Sequence, residues 1–532
     1  MDFDYKEKDL DEYGGADDEK ILDSDCEKIL DSGYEKILDD GDAPADNPKE
    51  YTSKKSELCK EADRLYTQGK YEYAFAKYKA DCDASGSPYA YDGLGRCYLF
   101  GKGTVKNDRL AFDCLLKASR SNIPSALCNL GYCYEKGVGA PKDMAKAVDC
   151  YKSAAKSKSK YALYNLGLCY YFGKGVPKDL RCAAESFCSA AELGDINSAY
   201  TVSKMYEFGE GVNKDIKAAF KYASIAANGG HADGAATLGF LYEKGYGTAK
   251  DLKLAVKWAR RAAELGSVTG KFNLGYYLYH GKGVEKNQAE AYRLFLESGE
   301  GGKAKGYCWA GLLNERGHGV KKDLAKAAKY AQLGAELGDM NSLCNLGIYY
   351  YKGLGVRRDM KRAYACFKKA ADEGGLARAY TWLGVMNERG EGTPKNMSEA
   401  VRYARLAAAK DEAAAVCNLG VYYYHGNGVE KDLERAFNYF IRSMTIGGHA
   451  AAYTWLGVCY ENAEGVAKDM SKAVVYYTKA CTAGDSYGAL NLGKCYMYGK
   501  GVARNFLTAE KYLTLAKERG NPHAQSYIDK LP

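Results

Sequence analysis

The sequence lacks most of what would mark a membrane, secreted or catalytic protein. It has no run of about 18 apolar residues, so no transmembrane helix is predicted. Its N-terminus, MDFDYKEKDLDEYGG, is acidic and lacks the basic, apolar and small-residue order of a signal peptide. The expected compartment is therefore the cytosol or nucleus, and not the outside of the cell. The six histidines are scattered. The eighteen cysteines contain no CxxC, and no Cys/His set has zinc spacing. No GxxxxGK[ST] occurs, and the recurrent Gly-x-Gly follows no strand, so it is a turn and not a phosphate loop. Asn396-Met-Ser398 matches a glycosylation sequon, but Asn396 fills a helix-cap slot in a chain without an export signal. Neither metal nor cofactor is expected, and no catalytic residue is proposed.

What is present is a repeat. The stretch NLGVYYYHGNGVEKDLERA, from Asn418 to Ala436, contains a reference glycine, Gly420. The same pattern recurs around Gly95, Gly131, Gly167, Gly239, Gly275, Gly311, Gly347, Gly384, Gly457 and Gly493, with Ser203 in one slot. Steps of 36 or 37 residues give twelve copies, the mark of a solenoid of helical hairpins. The first helix of each copy is expected to run from about eight residues before the reference glycine to five after it. Glycine inside a helix costs about 1 kcal/mol against alanine. Its recurrence predicts a close approach, to the alanine found sixteen residues later in every copy. Glycine six and eight residues on closes the helix, with Ala463 the one exception. Asp or Asn twelve residues on caps the second helix. Cysteines at repeat-equivalent places, such as Cys97, Cys133 and Cys169, share their slots with small hydrophobes and are expected to be reduced packing residues.

Domain boundaries follow from composition and period. Residues 1–50 carry nineteen acidic and six basic side chains, a net of −13, so the remaining chain carries +21 of the total +8. Their charge density predicts a disordered acidic tail. Within it Glu19–Asp23, Glu27–Asp31 and Glu35–Asp39 each read EKILD, which is the form of a multivalent linear motif. Residues 51–86 form an atypical hairpin that caps the array, residues 87–519 hold the twelve repeats, and residues 520–532 form a C-terminal cap.

Leu-Gly, Tyr, Gly-x-Gly-Val, Lys-Asp, Ala and Ala-Ala at this spacing resemble the Sel1-like repeat, a relative of the tetratricopeptide repeat. The resemblance covers residues 87–519. It implies an all-α fold, a right-handed solenoid superhelix of antiparallel helix pairs with the first helices on the concave face. It also implies a scaffold or adaptor for protein complexes. Two further roles follow from it: a regulatory subunit that activates a bound enzyme, and the weak penicillin-binding hydrolase activity of secreted, cysteine-rich members. Those members place paired cysteines about eight residues apart, whereas here Cys481 would face Ala489 and Cys82 would face Ala90.

Function is sought in what varies between copies. Two residues before the reference glycine the chain runs Asn273, Trp309, Asn345, Trp382, Asn418, Trp455 and Asn491. Arg316, Tyr349, Arg389 and Tyr422 share that stripe by helical spacing. Glu and Tyr alternate four residues after the glycine, so the unit here is a pair of repeats. Asn amides can bond both groups of a peptide backbone, and Trp, Tyr and Arg dominate binding hot spots. The stripe is expected to line a groove for an extended peptide. A second row is basic, eleven residues after the reference: Lys106, Lys142, Lys178, Lys214, Lys250, Lys286, Lys322, Arg358, Lys395, Lys431, Lys468 and Arg504. It is a candidate edge for an acidic partner, the chain's own tail included. Without an adjoining aromatic stacking surface it is a weak signal for nucleic acid. The partner expected is a protein or peptide.

Overall fold

The computed structural model describes residues 54–532, which form two compact units dividing between Leu294 and Phe295. The acidic segment and its three EKILD motifs lie outside the described residues. Among the described residues there are 27 helices and no strand, and no helix is long and apolar enough to cross a membrane. The fold is an all-α array of helical hairpins.

The first hairpin pairs Glu57–Thr67 with Tyr71–Ser85. Ser56 opens it by accepting the Cys59 N–H at 3.0 Å, and Gly86 ends it in the left-handed conformation. Twelve pairs follow, from Pro88–Phe100 with Asp108–Ser119 to Ser486–Tyr498 with Phe506–Glu518, and then the short helix Ala524–Ile528.

Each pair is punctuated by the residues expected to do so. Gly101 has φ 66° and its N–H donates to the Cys97 carbonyl, closing the first helix. In the one copy without glycine, Ala463 holds the same geometry at φ 63°. The cap row works throughout the array. Asp143, for example, accepts the Lys146 N–H at 3.0 Å, while its own N–H donates to the Tyr134 carbonyl at 2.9 Å. One residue thus starts the second helix and ties the turn to the end of the first. The hydrogen bonds hold the Asp143, Asp179 and Asp469 carboxyls below the usual range, with the backbone N–H of the third helical residue as the leading cause.

The glycine eight residues on serves a different purpose. At Gly175, φ is 75°, and a Cβ would stand 2.5 Å from the Met144 carbonyl oxygen. The turn therefore sits directly on the first residue of the second helix of the preceding repeat. Gly139 meets Asp108, Gly211 meets Leu180 and Gly501 meets Met470 in the same way. The N-terminal hairpin supplies the first such seat, where Gly103 rests on Tyr71.

Consecutive helices pack on one another from Glu57–Thr67 to Val268–His280 in the first unit and from Ala304–Arg316 to Ala524–Ile528 in the second. Within each unit the first helices of successive repeats also touch, as Ala232–Lys244 does Val268–His280 and Ala304–Arg316 does Met340–Lys352, whereas second helices do not to the same degree. First helices accordingly occupy the inner side of each unit's curve. The alanine sixteen residues after the reference is fully buried in all twelve copies, from Ala111 to Ala509.

One expectation about the core needs correcting. At Gly239, Gly311 and Gly384 the tightest neighbour of the reference glycine is the alanine sixteen residues later. A Cβ there would lie 3.0, 3.2 and 3.3 Å from the carbonyl oxygens of Ala255, Ala327 and Ala400. In seven other copies the space belongs to a large side chain twenty residues later: Leu115, Tyr151, Phe187, Phe367, Phe440, Tyr477 or Leu513. The three alanine-facing copies have Ala259, Ala331 and Ala404 at that place, so nothing intervenes. Ser203, where glycine is absent, donates its hydroxyl to the Ala219 carbonyl at 2.9 Å. The seventeen cysteines of the described residues are free, and burial pushes Cys97, Cys133 and Cys169 up to about 12.

Candidate functional site

The tryptophan and asparagine slot faces the preceding repeat and not a groove. Trp309 is fully buried with its ring stacked on Phe295 at 5.1 Å, and Trp382 is 4% exposed and stacked on Phe367 at 5.4 Å. Trp455 is half-buried and stacks on Phe440 at 5.5 Å. In each case the phenylalanine lies on the second helix of the preceding repeat. The residue four after the glycine of that preceding repeat closes the box: Tyr351 and Tyr424 lie 4.9 Å from Trp382 and Trp455.

The asparagines are also structural. Asn345 and Asn418 are buried, while Asn273 and Asn491 are half-buried. Asn345 accepts from Arg378 of the next repeat at 3.0 Å and donates to the Cys308 sulfur of the preceding one at 3.8 Å. Tyr349 and Tyr422 are buried and donate to Glu315 and Glu388 of the preceding repeat at 2.8 and 2.9 Å. Burial, reinforced by the carboxylate, pushes the Tyr422 hydroxyl above the ordinary tyrosine range.

The two-repeat alternation is thus a packing code. A large Trp meets Phe and Tyr at one interface, and at the next an Asn follows a repeat with Ala and Glu in those two places. The reason is angular. The slot two before the glycine is turned far enough toward the preceding second helix for a ring twenty residues along that repeat to cover it. Arg316 and Arg389, five residues after the glycine, do reach the surface, half-exposed and exposed. Arg389 donates to the Tyr351 hydroxyl at 3.0 Å.

The free face lies elsewhere. Tyr three residues after the glycine packs on second helices, as Tyr134 does edge-on against Phe112 and Tyr206 stacked on Tyr222. Residues one and five after the glycine are about 200° around the helix from that tyrosine, so they point away from the second-helix layer. Where the first of them is short its neighbours cover it, as at Leu168, Leu312, Ile348 and Val385. At Tyr132, Lys204, Phe240, Tyr276 and Lys494 it stays half-exposed, while Arg96 is buried. The fifth-residue partners include Phe100, Phe172 and Phe208 (half-exposed) and Lys136 and Lys244 (exposed).

In four consecutive repeats of the first unit a ring on this face carries a lysine ammonium. Lys174 lies 4.8 Å from the Phe172 ring centre, Lys204 5.7 Å from Phe208, Lys244 5.5 Å from Phe240 and Lys282 4.5 Å from Tyr276. Contacts this close are attractive. The carboxylates nearby are engaged: Glu207 with Lys204, Glu210 with Tyr171 and Glu243 with Tyr277. The face therefore presents rings with an ammonium above them, that of Lys204 already paired with Glu207 at 2.9 Å. Reading along one helix missed it, because the lysine comes two, four or six residues after the ring in three copies (Lys174, Lys244 and Lys282) and four before it in the other (Lys204).

The basic edge is where its sequence position places it. All twelve side chains from Lys106 to Arg504 are exposed. Lys178 and Lys286 lie over Tyr171 and Tyr279 at 5.7 Å, and Arg358 donates to the Tyr351 carbonyl at 3.2 Å. No group of His, Cys, Asp and Glu among the described residues is placed to hold a metal ion.

Comparison with known proteins identifies the pattern. The Sel1 repeat matches twelve times, at residues 88–123, 124–159, 160–195, 196–231, 232–267, 269–303, 304–339, 341–375, 377–412, 413–443, 450–485 and 486–521. Among solved structures the chain is similar to c5321, a protective antigen of uropathogenic Escherichia coli displaying an SLR fold. The two are 30% identical over 86% of this chain and 97% of that one, with a TM-score of 0.69. It is also similar to a Sel1 repeat protein of Oxalobacter formigenes, at 25% identity over 58% of this chain and 89% of that one, TM-score 0.42. A third is Helicobacter pylori cysteine rich protein B, 30% identical over 25% of this chain and 95% of that one, TM-score 0.21. No curated protein matches the chain.

Proposed function

The chain belongs to the Sel1 repeat family, and from that premise we propose that it is a non-enzymatic scaffold whose inner helix face binds a protein or an extended peptide. Repeats of this kind commonly mediate protein–protein interaction. The observation that carries the reading is the outward face of the first helices, where rings and basic groups recur at one or both of two positions in most repeats. An array of that kind suits a long, weakly held ligand whose affinity is summed over many small contacts. Aromatic and Arg side chains are the usual anchors of such surfaces. In the second unit the equivalent face carries Arg316 and Arg389, and the compartment proposed is the cytosol or nucleus.

The test is a comparative capture from lysate with the full chain as bait. Phe172→Ser, Phe208→Ser and Phe240→Ser together should lose a specifically retained protein that the wild type keeps, with the helical circular-dichroism melt unchanged. Retention of the same protein by the face variant would refute the assignment of the site. Turnover of nitrocefin by the purified chain would count against a non-enzymatic role.

A further inference from the structure

Two features have so far been given no role: the lysine-topped rings of the first unit and the acidic segment that carries EKILD three times. We propose that residues 19–39 bind in cis along the free face of the first unit, their Ile-Leu pairs on the rings and their carboxylates on the lysines. This rests on the reading of that face as a binding surface.

The chemistry of the two sides is complementary. Each motif sets Ile and Leu between an acidic residue on either side, Glu19 and Asp23, Glu27 and Asp31, Glu35 and Asp39. Each of four repeats offers an aromatic ring with an ammonium 4.5–5.7 Å from its centre. The basic edge formed by Lys178, Lys214 and Lys250 could attract the same acids. Beside its lysines that edge offers Tyr171, Tyr206 and Val212, whereas the helix face offers the rings of Phe172, Phe208 and Phe240, and the cross-links described below tell the two apart. Charge also selects the sign of the pairing, since residues 1–50 carry −13 and the rest of the chain +21.

Reach is sufficient. Asp39 lies fifteen steps along the chain from Lys54, which span about 50 Å when extended, and the 31 steps from Asp23 span about 100 Å. Packed helices lie about 8–10 Å apart, so the first helices bearing Phe172 to Tyr276 fall within that range. Three motifs on one tether act at high effective concentration, so each can be weak alone. An occupied face is closed to other ligands, and a protein partner would have to displace the segment.

The experiment uses the purified full chain. A water-soluble carbodiimide joins carboxylates to amines in contact, and mass spectrometry locates the links. Links from Glu19–Asp39 to Lys174, Lys204, Lys244 or Lys282 are expected. A variant with Ile21, Leu22, Ile29, Leu30, Ile37 and Leu38 all changed to Ser keeps every charge, and should lower their yield by about tenfold. Four results would overturn the proposal: links chiefly to Lys178, Lys214 and Lys250, equal yield in the Ser variant, links only between isotopically distinct copies, or no links. No outside protein is present, so such a failure strikes the segment and leaves the capture result of the preceding section standing.

Discussion

The stacked interface between the repeats of Gly347 and Gly384 gives a quantitative prediction. Trp382 is 4% exposed, lies parallel to Phe367 with 3° between the rings, and touches Tyr351. Phe367 is fully buried and also fills the space above Gly347, where a Cβ would stand 2.8 Å away. Removing either ring from such a site costs about 3–5 kcal/mol. If the two rings were independent, Trp382→Asn with Phe367→Ala would cost about 6–10 kcal/mol. The adjacent interface already uses the small pair: Asn345 occupies the slot of Trp382, and Ala331 that of Phe367. The double change imitates that interface and removes a mismatch each single change leaves, so it should cost about 2–3 kcal/mol less than the sum. Repeat arrays do not melt as one unit, so the measurement is urea unfolding by circular dichroism combined with hydrogen exchange. Loss of protection should be concentrated in Met360–Gly374 and Ala377–Arg389. A double variant within about 0.5 kcal/mol of the sum, or exchange rising evenly over the second unit, would refute the packing code.

Two further predictions concern the turns. The Asp143 carboxyl has a folded pKa below its unfolded value, so the stability it lends is present above about pH 4 and lost as pH falls through the lowered folded value. Asp143→Asn keeps an acceptor at the cap, so thermal melts of the variant should lose less between pH 5 and pH 2 (about the range of that titration) than those of the wild type. Gly175→Ala and Gly194→Ala both force a side chain to positive φ (75° and 86°), costing about 1–2 kcal/mol each. Only Gly175 also meets a carbonyl, since Gly194 has nothing within 4 Å. Gly175→Ala should therefore melt lower than Gly194→Ala, and equal melts would remove the seat from the account of the turn.

Much of this architecture was legible in the sequence because it depends on contacts close along the chain. The first helix Pro88–Phe100, the closing glycine Gly101 and the cap Asn107 all act within one repeat, where spacing alone identifies them. The face was misjudged because exposure depends on a partner in another repeat. Trp382 looks like a free anchor until Phe367 is set against it. The signal was available in the paired columns, since Phe295, Ala331, Phe367, Ala404 and Phe440 alternate in step with Trp309, Asn345, Trp382, Asn418 and Trp455. The reference glycine was misassigned for a related reason: Phe367 or Tyr151 reaches it from twenty residues away, over the alanine that helical spacing alone would choose. The lysine-topped rings escaped notice because Lys174, Lys204, Lys244 and Lys282 reach one surface from several sequence positions.

The turn that rests on the preceding helix gives the array a direction. Gly175 needs Met144, and Gly139 needs Asp108, but nothing in a repeat needs the turn that follows it in the same way. Cutting repeats from the C-terminal end leaves every remaining turn supported, whereas cutting from the N-terminal end strands one. A ribosome releases the chain in the favourable order. Each new hairpin emerges to find its support already folded, beginning with Gly103 on the Tyr71 helix.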